Sequence, residues 1–210
     1  MLAIKSIQNS KAPGPDGFPI EFLKIFQAKL APLLHSVYSE SLRHGSLPPT
    51  VRQASISLLL KKDKDPKLCS SYRPLSLINV DAEILAKALA HRLENILPAI
   101  ISDEQTGFIK GRQLFYNIRT LLNVIYSKSS AATPEVVISV DAEKAFDRVE
   151  WDYLLTVLGR FGLGKVFISW INLLYTSPQA SISTNGIQSV YSLCPVASGR
   201  DVPYPPDYLR

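Results

Sequence analysis

The stretch Val136-Val137-Ile138-Ser139-Val140-Asp141-Ala142-Glu143-Lys144-Ala145-Phe146-Asp147 organises the chain. Its β-branched run, interrupted only by Ser139, reads as a buried strand. From Ala142 onward apolar residues recur at Phe146, Val149, Tyr153, Val157 and Phe161, which is helical spacing. This pattern predicts Asp141 at the carboxyl end of a strand, where open α/β sheets place their chemistry. Two readings of Asp141 stand side by side. It is an N-cap whose carboxylate accepts a first-turn amide, or it is a hard oxygen ligand for Mg²⁺.

Composition narrows the classes. The chain has 210 residues, 46% hydrophobic and 20% charged, which excludes a disordered protein. No apolar run reaches the roughly 18 residues of a membrane span. The first residues lack the layout of a signal peptide. Cys69 and Cys194 supply neither a disulfide framework nor metal spacing, so an intracellular, reduced protein is expected, with nucleus and cytoplasm indistinguishable. The net charge of +5 is uneven. Residues 1–128 carry 17 Lys and Arg against 10 Asp and Glu, and residues 129–210 carry 6 against 8. A basic first part beside a mildly acidic second part suits a polyanion held near a metal, although an ordinary solvated surface has the same look.

In chain order, Ser10 to Gly17 alternates Pro and Gly and reads as a loop, either a plain connector or a shaped approach to a ligand with Lys11. A helical region from Ile20 to Arg43 follows, broken or kinked at Pro32 and capped by Gly45. Ala54 to Leu60 and Tyr72 to Leu77 read as two strands about a polar turn, with Pro74 favouring a sheet edge or the first position of its strand. They can present Lys61 and Arg73 on one face, a point charge beside a bidentate fork, as a triphosphate requires. A solvated hairpin tip is the plainer reading. Asp81 is expected to cap a helix with Ile84, Leu85, Ala88, Leu89, Leu93 and Ile96 inward, stopped by Pro98. Glu104 to Arg112 is a loop with two glycines, an aromatic and the cations Lys110 and Arg112, a mixture that tracks nucleic-acid backbones and also occurs in ordinary turns. A helix from Gln113 to Tyr126 should turn Ile118, Leu121, Leu122 and Ile125 inward. Ser127 to Pro134 is the best internal boundary. After the Asp141 unit, Gly162 and Gly164 end a long helix, Val166 to Tyr175 forms another, and Asn185-Gly186 between two apolar runs marks a hairpin.

These blocks, in this order, resemble the reverse transcriptase of non-LTR (LINE-type) retrotransposons from about Asn9 to Tyr191. Lys11-Ala12-Pro13-Gly14-Pro15-Asp16-Gly17 resembles the family's N-terminal block. Leu60 to Pro66 and Tyr72-Arg73-Pro74-Leu75-Ser76-Leu77 resemble its first fingers motifs, and Gln105 to Arg112 the next block. Val140 to Asp147 is similar to motif A of the palm. A group II intron maturase is a weaker match. The resemblance implies an α/β (α+β) fold, part of a right-hand polymerase: fingers and N-terminal extension over 1–128, and a partial palm over 129–191 with no thumb. It implies RNA-directed DNA synthesis on an RNA template and DNA primer from deoxynucleoside triphosphates, with Mg²⁺, no membrane role and protein partners unknown. It makes Asp141 the first catalytic carboxylate and a metal ligand. Beside it stand the Ala142 carbonyl and Phe146, a gate against a ribose 2′-OH. It puts Lys61 and Arg73 on the triphosphate, and Lys11, Lys110 and Arg112 on nucleic acid.

The pattern then breaks. The family's two-metal chemistry also uses a pair of aspartates on a downstream hairpin, and no Asp-Asp pair occurs in the chain. Asp147 and Asp152 have the wrong spacing to substitute. After Tyr191 the expected Arg-Gln-Gly-Cys-Pro-Leu-Ser-Pro block is absent, and Ser198 to Arg210 is proline-rich instead. Codons read two bases on permit that block in full. Residues 192–210 are therefore expected to be frameshifted or a disordered tail, and the Met1 start suits a piece of a longer reading frame. The expectation is an inactive, truncated polymerase domain. The alternatives are a non-catalytic nucleic-acid-binding module and a decaying reading frame whose product does not fold stably.

Overall fold

A computed structural model describes residues 1–127, 136–142, 145, 148–184 and 186–193. They form two compact units, one of Met1–His91 with the chain from Phe146 on, the other of Arg92–Ala145.

The first unit is a mixed sheet packed against helices. Strand β1 (Gln53–Leu60) alternates serine with apolar residues, and β2 (Tyr72–Ile78) returns antiparallel to it. Strand β3 (Gln179–Thr184) runs parallel to β1 on its other side, and β4 (Ile187–Gln188) and β5 (Ser192–Leu193) pair along the far edge of β3. The edge position expected for Pro74 is observed, since β2 ends the sheet. The Asn-Gly hairpin also forms: Thr184 faces Ile187, and Gly186 takes φ +77°. Ser183 faces Gln188 but Ala180 faces Ser192, so one extra residue among 189–191 bulges from the second strand.

Register sets the two faces of the sheet. Ala54, Ile78 and Ala180 point to the core with Ile56, and meet Tyr38 of α3 (Gln27–His44), Leu85 and Leu89 of α4 (Val80–Glu94) and Leu173 of α8 (Lys165–Tyr175). A second cluster joins Ile4 of α1 (Leu2–Ser6), Ile20 and Leu23 of α2 (Ile20–Ile25), and Val80 and Ile84 of α4. Helix α4 thus serves both cores with neighbouring stripes. Each fully buried Leu or Ile contributes about 1.5–3 kcal/mol relative to exposure.

Some expected boundaries move. The break between α2 and α3 falls at Phe26 (φ −97°, ψ 17°), while Pro32 sits inside α3. Gly45 ends α3 at φ +74°, as expected. Asp81 is not the cap of α4. Asn79 precedes that helix, and Asp81 stands in its first turn with its carboxylate accepting the Ala82 amide at 2.7 Å.

The largest corrections concern the organising stretch. Residues 136–140 form no strand: Val136, Ile138 and Val140 are each more than three-quarters exposed. A strand needs a neighbouring ladder, and every described strand pairs within β1 to β5. Asp141 and Ala142 are in irregular backbone, part of the helix expected from Ala142 lies outside the described residues, and the next α-helix is α7 (Trp151–Arg160), which Gly162 ends at φ +77° with Leu163 N donating to Leu158 O. The first-turn residues that an Asp141 N-cap would need include 143 and 144, which lie outside the described residues. Tryptophan 151 is buried at the start of α7, its ring 5.0 Å from that of Tyr175.

In the second unit, α5 (Leu97–Ile100) and α6 (Phe115–Tyr126) flank the loop 101–114. The expected inward face of α6 is not buried: Ile118, Leu121, Leu122 and Ile125 are all exposed. Helical spacing reports that a face is apolar, and burial needs a partner that spacing does not supply.

Candidate functional site

The β1–β2 hairpin brings Lys61 and Arg73 together. Leu59 faces Arg73, and one step on the Lys61 amide donates to Ser71 O at 2.8 Å. Strand side chains alternate, so Leu59, Lys61, Ser71 and Arg73 share the face opposite the core, with Lys61 and Arg73 diagonal neighbours. Lys61 Nζ donates to Ser70 O at 2.8 Å, and the Tyr72 hydroxyl donates to Pro66 O at 2.9 Å, which ties the intervening turn back onto its strands. Arg73 is exposed, with no ion-pair partner among the described residues. Residues 61–73 hold five Lys and Arg against two Asp. The hairpin therefore offers one fixed cation and one swinging fork to an anion.

The loop from Ser10 to Gly17 is held against the start of α4. Gly14 lies against the β2–α4 junction, where a Cβ would collide with Asn79 Oδ1 and with the Ile78–Asn79 peptide. Asn79, 2% exposed, accepts from the Asp16 amide at 3.1 Å and donates Nδ2 to Thr50 O at 2.8 Å. Lys11 is paired with Glu83 of α4 at 3.3 Å. On the same segment Glu21 accepts the Ser10 amide at 2.6 Å, which holds its carboxyl below the usual range. Burial, and then the nearby charge of Asp16, raise the Asp81 carboxyl against the lowering effect of the Ala82 amide. Burial first, and then the charge of Asp81, raise the Tyr38 phenol, which donates to Asp81 O at 2.7 Å. Asn79 and Glu21 were missed in the sequence. An Asn directly before an apolar helical run was the available signal.

Arg112 braces its own loop. Its guanidinium donates to the carbonyls of Pro98, Ile101, Ser102 and Gln105 and to Asp103 Oδ1 at 3.1 Å. Lys110, two residues earlier, is exposed. Asp141 and Ala142 are exposed in irregular backbone. Phe146 lies outside the described residues, as do 194–210 of the altered tail expected over 192–210, whose first two residues, Ser192 and Leu193, pair with β3. No group of three or more His, Cys, Asp or Glu able to hold a metal occurs among the described residues. No helix among them is long and apolar enough to cross a membrane.

A basic two-stranded hairpin on a mixed α/β sheet, with a carboxylate-bearing segment downstream, is part of a polymerase fold. The family model "Reverse transcriptase (RNA-dependent DNA polymerase)" matches residues 59–199, and the chain belongs to that family. The match includes Lys61, Arg73, Lys110, Arg112, Asp141, Ala142 and Phe146, and Lys11 lies before it.

Its relatives are proteins of non-LTR retrotransposons. The chain is 34% identical over 201 residues to the transposon TX1 uncharacterized 149 kDa protein of Xenopus laevis, covering 95% of this chain and 15% of that protein. It is 29% identical over 156 residues to a probable RNA-directed DNA polymerase from transposon BS of Drosophila melanogaster, covering 73% and 17%. It is 25% identical over 193 residues to the RNA-directed DNA polymerase from mobile element jockey of Drosophila funebris, covering 89% and 20%. The chain thus spans a fifth or less of these relatives' length.

Proposed function

We propose that this chain is the fingers and the first part of the palm of a LINE-type RNA-directed DNA polymerase. In this reading it takes up a deoxynucleoside triphosphate and an RNA template with its DNA primer, and does not polymerise by itself. The observation that carries the reading is the shared face of Lys61 and Arg73 inside the family match. Arg73 would fork two phosphate oxygens while Lys61 exchanges its Ser70 carbonyl for a third. Mg²⁺, where bound, neutralises phosphate charge and activates the attacking oxygen. Asp141 would be one of its ligands, with the Ala142 carbonyl beside it, and Phe146 would face the sugar. Lys110 would meet the nucleic-acid backbone, and so would Lys11 on releasing Glu83. Arg112 acts on the same strand indirectly, by shaping the loop. One carboxylate does not hold two metals, so the chain alone is expected to be inactive.

The test pairs two assays on the 210-residue protein. Titration with a fluorescent deoxynucleoside triphosphate should show binding that Arg73→Ala weakens about tenfold, the scale of a charge-assisted pair. Primer extension with Mg²⁺ should show no templated incorporation. Incorporation abolished by Asp141→Ala would overturn the inactivity, and nucleotide binding indifferent to both Lys61→Ala and Arg73→Ala would overturn the site. A non-catalytic nucleic-acid-binding module is the second reading, favoured by the positive surplus of residues 1–128. RNA binding without any nucleotide binding would select it.

A further inference from the structure

We infer that the serine strip shared by β1 and β3 seats the ribose 2′-hydroxyls of a single-stranded RNA. The inference rests on the polymerase reading above and adds to it a contact surface and the sugar chemistry that surface selects.

Strands β1 and β3 begin with the same five residues, Gln-Ala-Ser-Ile-Ser, at 53–57 and 179–183. Their parallel register sets the two copies level, so that Ala54 stands beside Ala180 and Ser57 beside Ser183. Alternation then sorts the side chains. The alanines join the core, and the glutamines and serines share the opposite face with Lys61 and Arg73. Ser57 precedes Lys61 by four residues on one strand, about 13 Å. Neither strand carries an acid. The strip is thus continuous with the two cations, and nothing on it repels a phosphate that they attract.

Three hydroxyls of the strip are open to a ligand. Ser181 is fully buried and engaged, accepting from Gln188 Nε2 at 2.7 Å. Ser55, Ser57 and Ser183 are half-buried instead, and their hydroxyls have no hydrogen-bond partner among the described residues. Leu75 faces Ser57 across the β1–β2 ladder and is exposed, which places apolar surface beside the hydroxyls for the carbons of a sugar. A serine hydroxyl both donates and accepts. So does the ribose 2′-OH, the group by which a protein tells RNA from DNA at a given site. Neither β1 nor β3 has an aromatic residue on which a base could stack. The strip therefore addresses the sugar and not the base, and tolerates any template sequence.

The test uses the full chain and two single-stranded oligonucleotides of one base sequence, RNA and DNA, with affinity read by fluorescence anisotropy across salt concentrations. The wild type should bind the RNA more tightly than the DNA. The double variant Ser57→Ala with Ser183→Ala should weaken RNA binding about tenfold and leave DNA binding unchanged. Its salt slope should stay as it was, because no charge is removed. Ser57→Thr with Ser183→Thr keeps both hydroxyls on residues that suit a strand, and should bind RNA as the wild type does. Equal losses on RNA and DNA for the alanine variant, or no loss on either, would overturn the serine strip and leave the nucleotide site at Lys61 and Arg73 standing. A wild type that binds neither strand would remove the polymerase reading along with the strip.

Discussion

Gly14 and Asn79 are packed so closely that no side chain fits at position 14. The Asn79 amide fills the space where a Cβ would stand, accepts from the Asp16 amide in the loop, and donates to Thr50 O in the separate turn Pro49–Arg52. The contact joins the N-terminal loop to the start of α4, the helix that serves both cores. Gly14→Ala is therefore expected to destabilise the fold by about 2–4 kcal/mol, since the obstacle includes backbone that cannot swing away. Denaturant unfolding measures it, and a loss below about 0.5 kcal/mol would show that the loop is not held there.

Asn79→Ala removes the other half of the lock. It leaves the Asp16 amide and the Thr50 carbonyl without their side-chain partner, at about 1–3 kcal/mol for a desolvated polar group. Hydrogen exchange should locate the change, with the Asp16 amide losing protection. Unchanged protection at Asp16 would contradict the bond.

Asp81 makes stability depend on pH in a stated direction. Its folded pKa is raised, chiefly by burial. The folded state therefore binds the proton better than the unfolded state does. That contribution is fully present below the unfolded value and is lost as pH rises through the folded value. At neutral pH the charged carboxylate costs stability. Asp81→Asn keeps an acceptor for the Ala82 amide and removes the charge. Its melting temperature should exceed that of the wild type at pH 7, with the gap closing near pH 4. A gap that is constant with pH would remove the electrostatic explanation.

Gly159 is an exposed glycine near the end of α7. A Cβ there meets only Ile168 Cδ1, at 3.8 Å, an ordinary contact. Gly159→Ala should stabilise by about 0.5–1 kcal/mol through helix propensity and a less flexible unfolded chain. A lower melting temperature would mean that α7 and α8 approach more closely than described.

Arg112→Lys keeps the charge and loses the fork. A single ammonium cannot reach five acceptors, so residues 98–112 should become protease-sensitive while the β1–β2 hairpin is unaffected. Limited proteolysis with mass spectrometry reads this. Intact resistance would show that the charge alone holds the loop.

Family membership was legible in the chain because it rests on short motifs in a fixed order, and each motif is a local property. The same holds for the Asn-Gly hairpin, the left-handed cap at Gly45 and the pairing that puts Lys61 beside Arg73, since alternation and turn chemistry act over a few residues. The lock of Gly14 on Asn79 joins residues 65 apart, and the duty of Arg112 depends on four carbonyls that a linear pattern does not mark. The run 136–140 and the apolar stripe of α6 show the limit most plainly. Their patterns report surface that gains from burial, but a ladder or a packed face needs a second element, and only the tertiary structure decides whether that element is there.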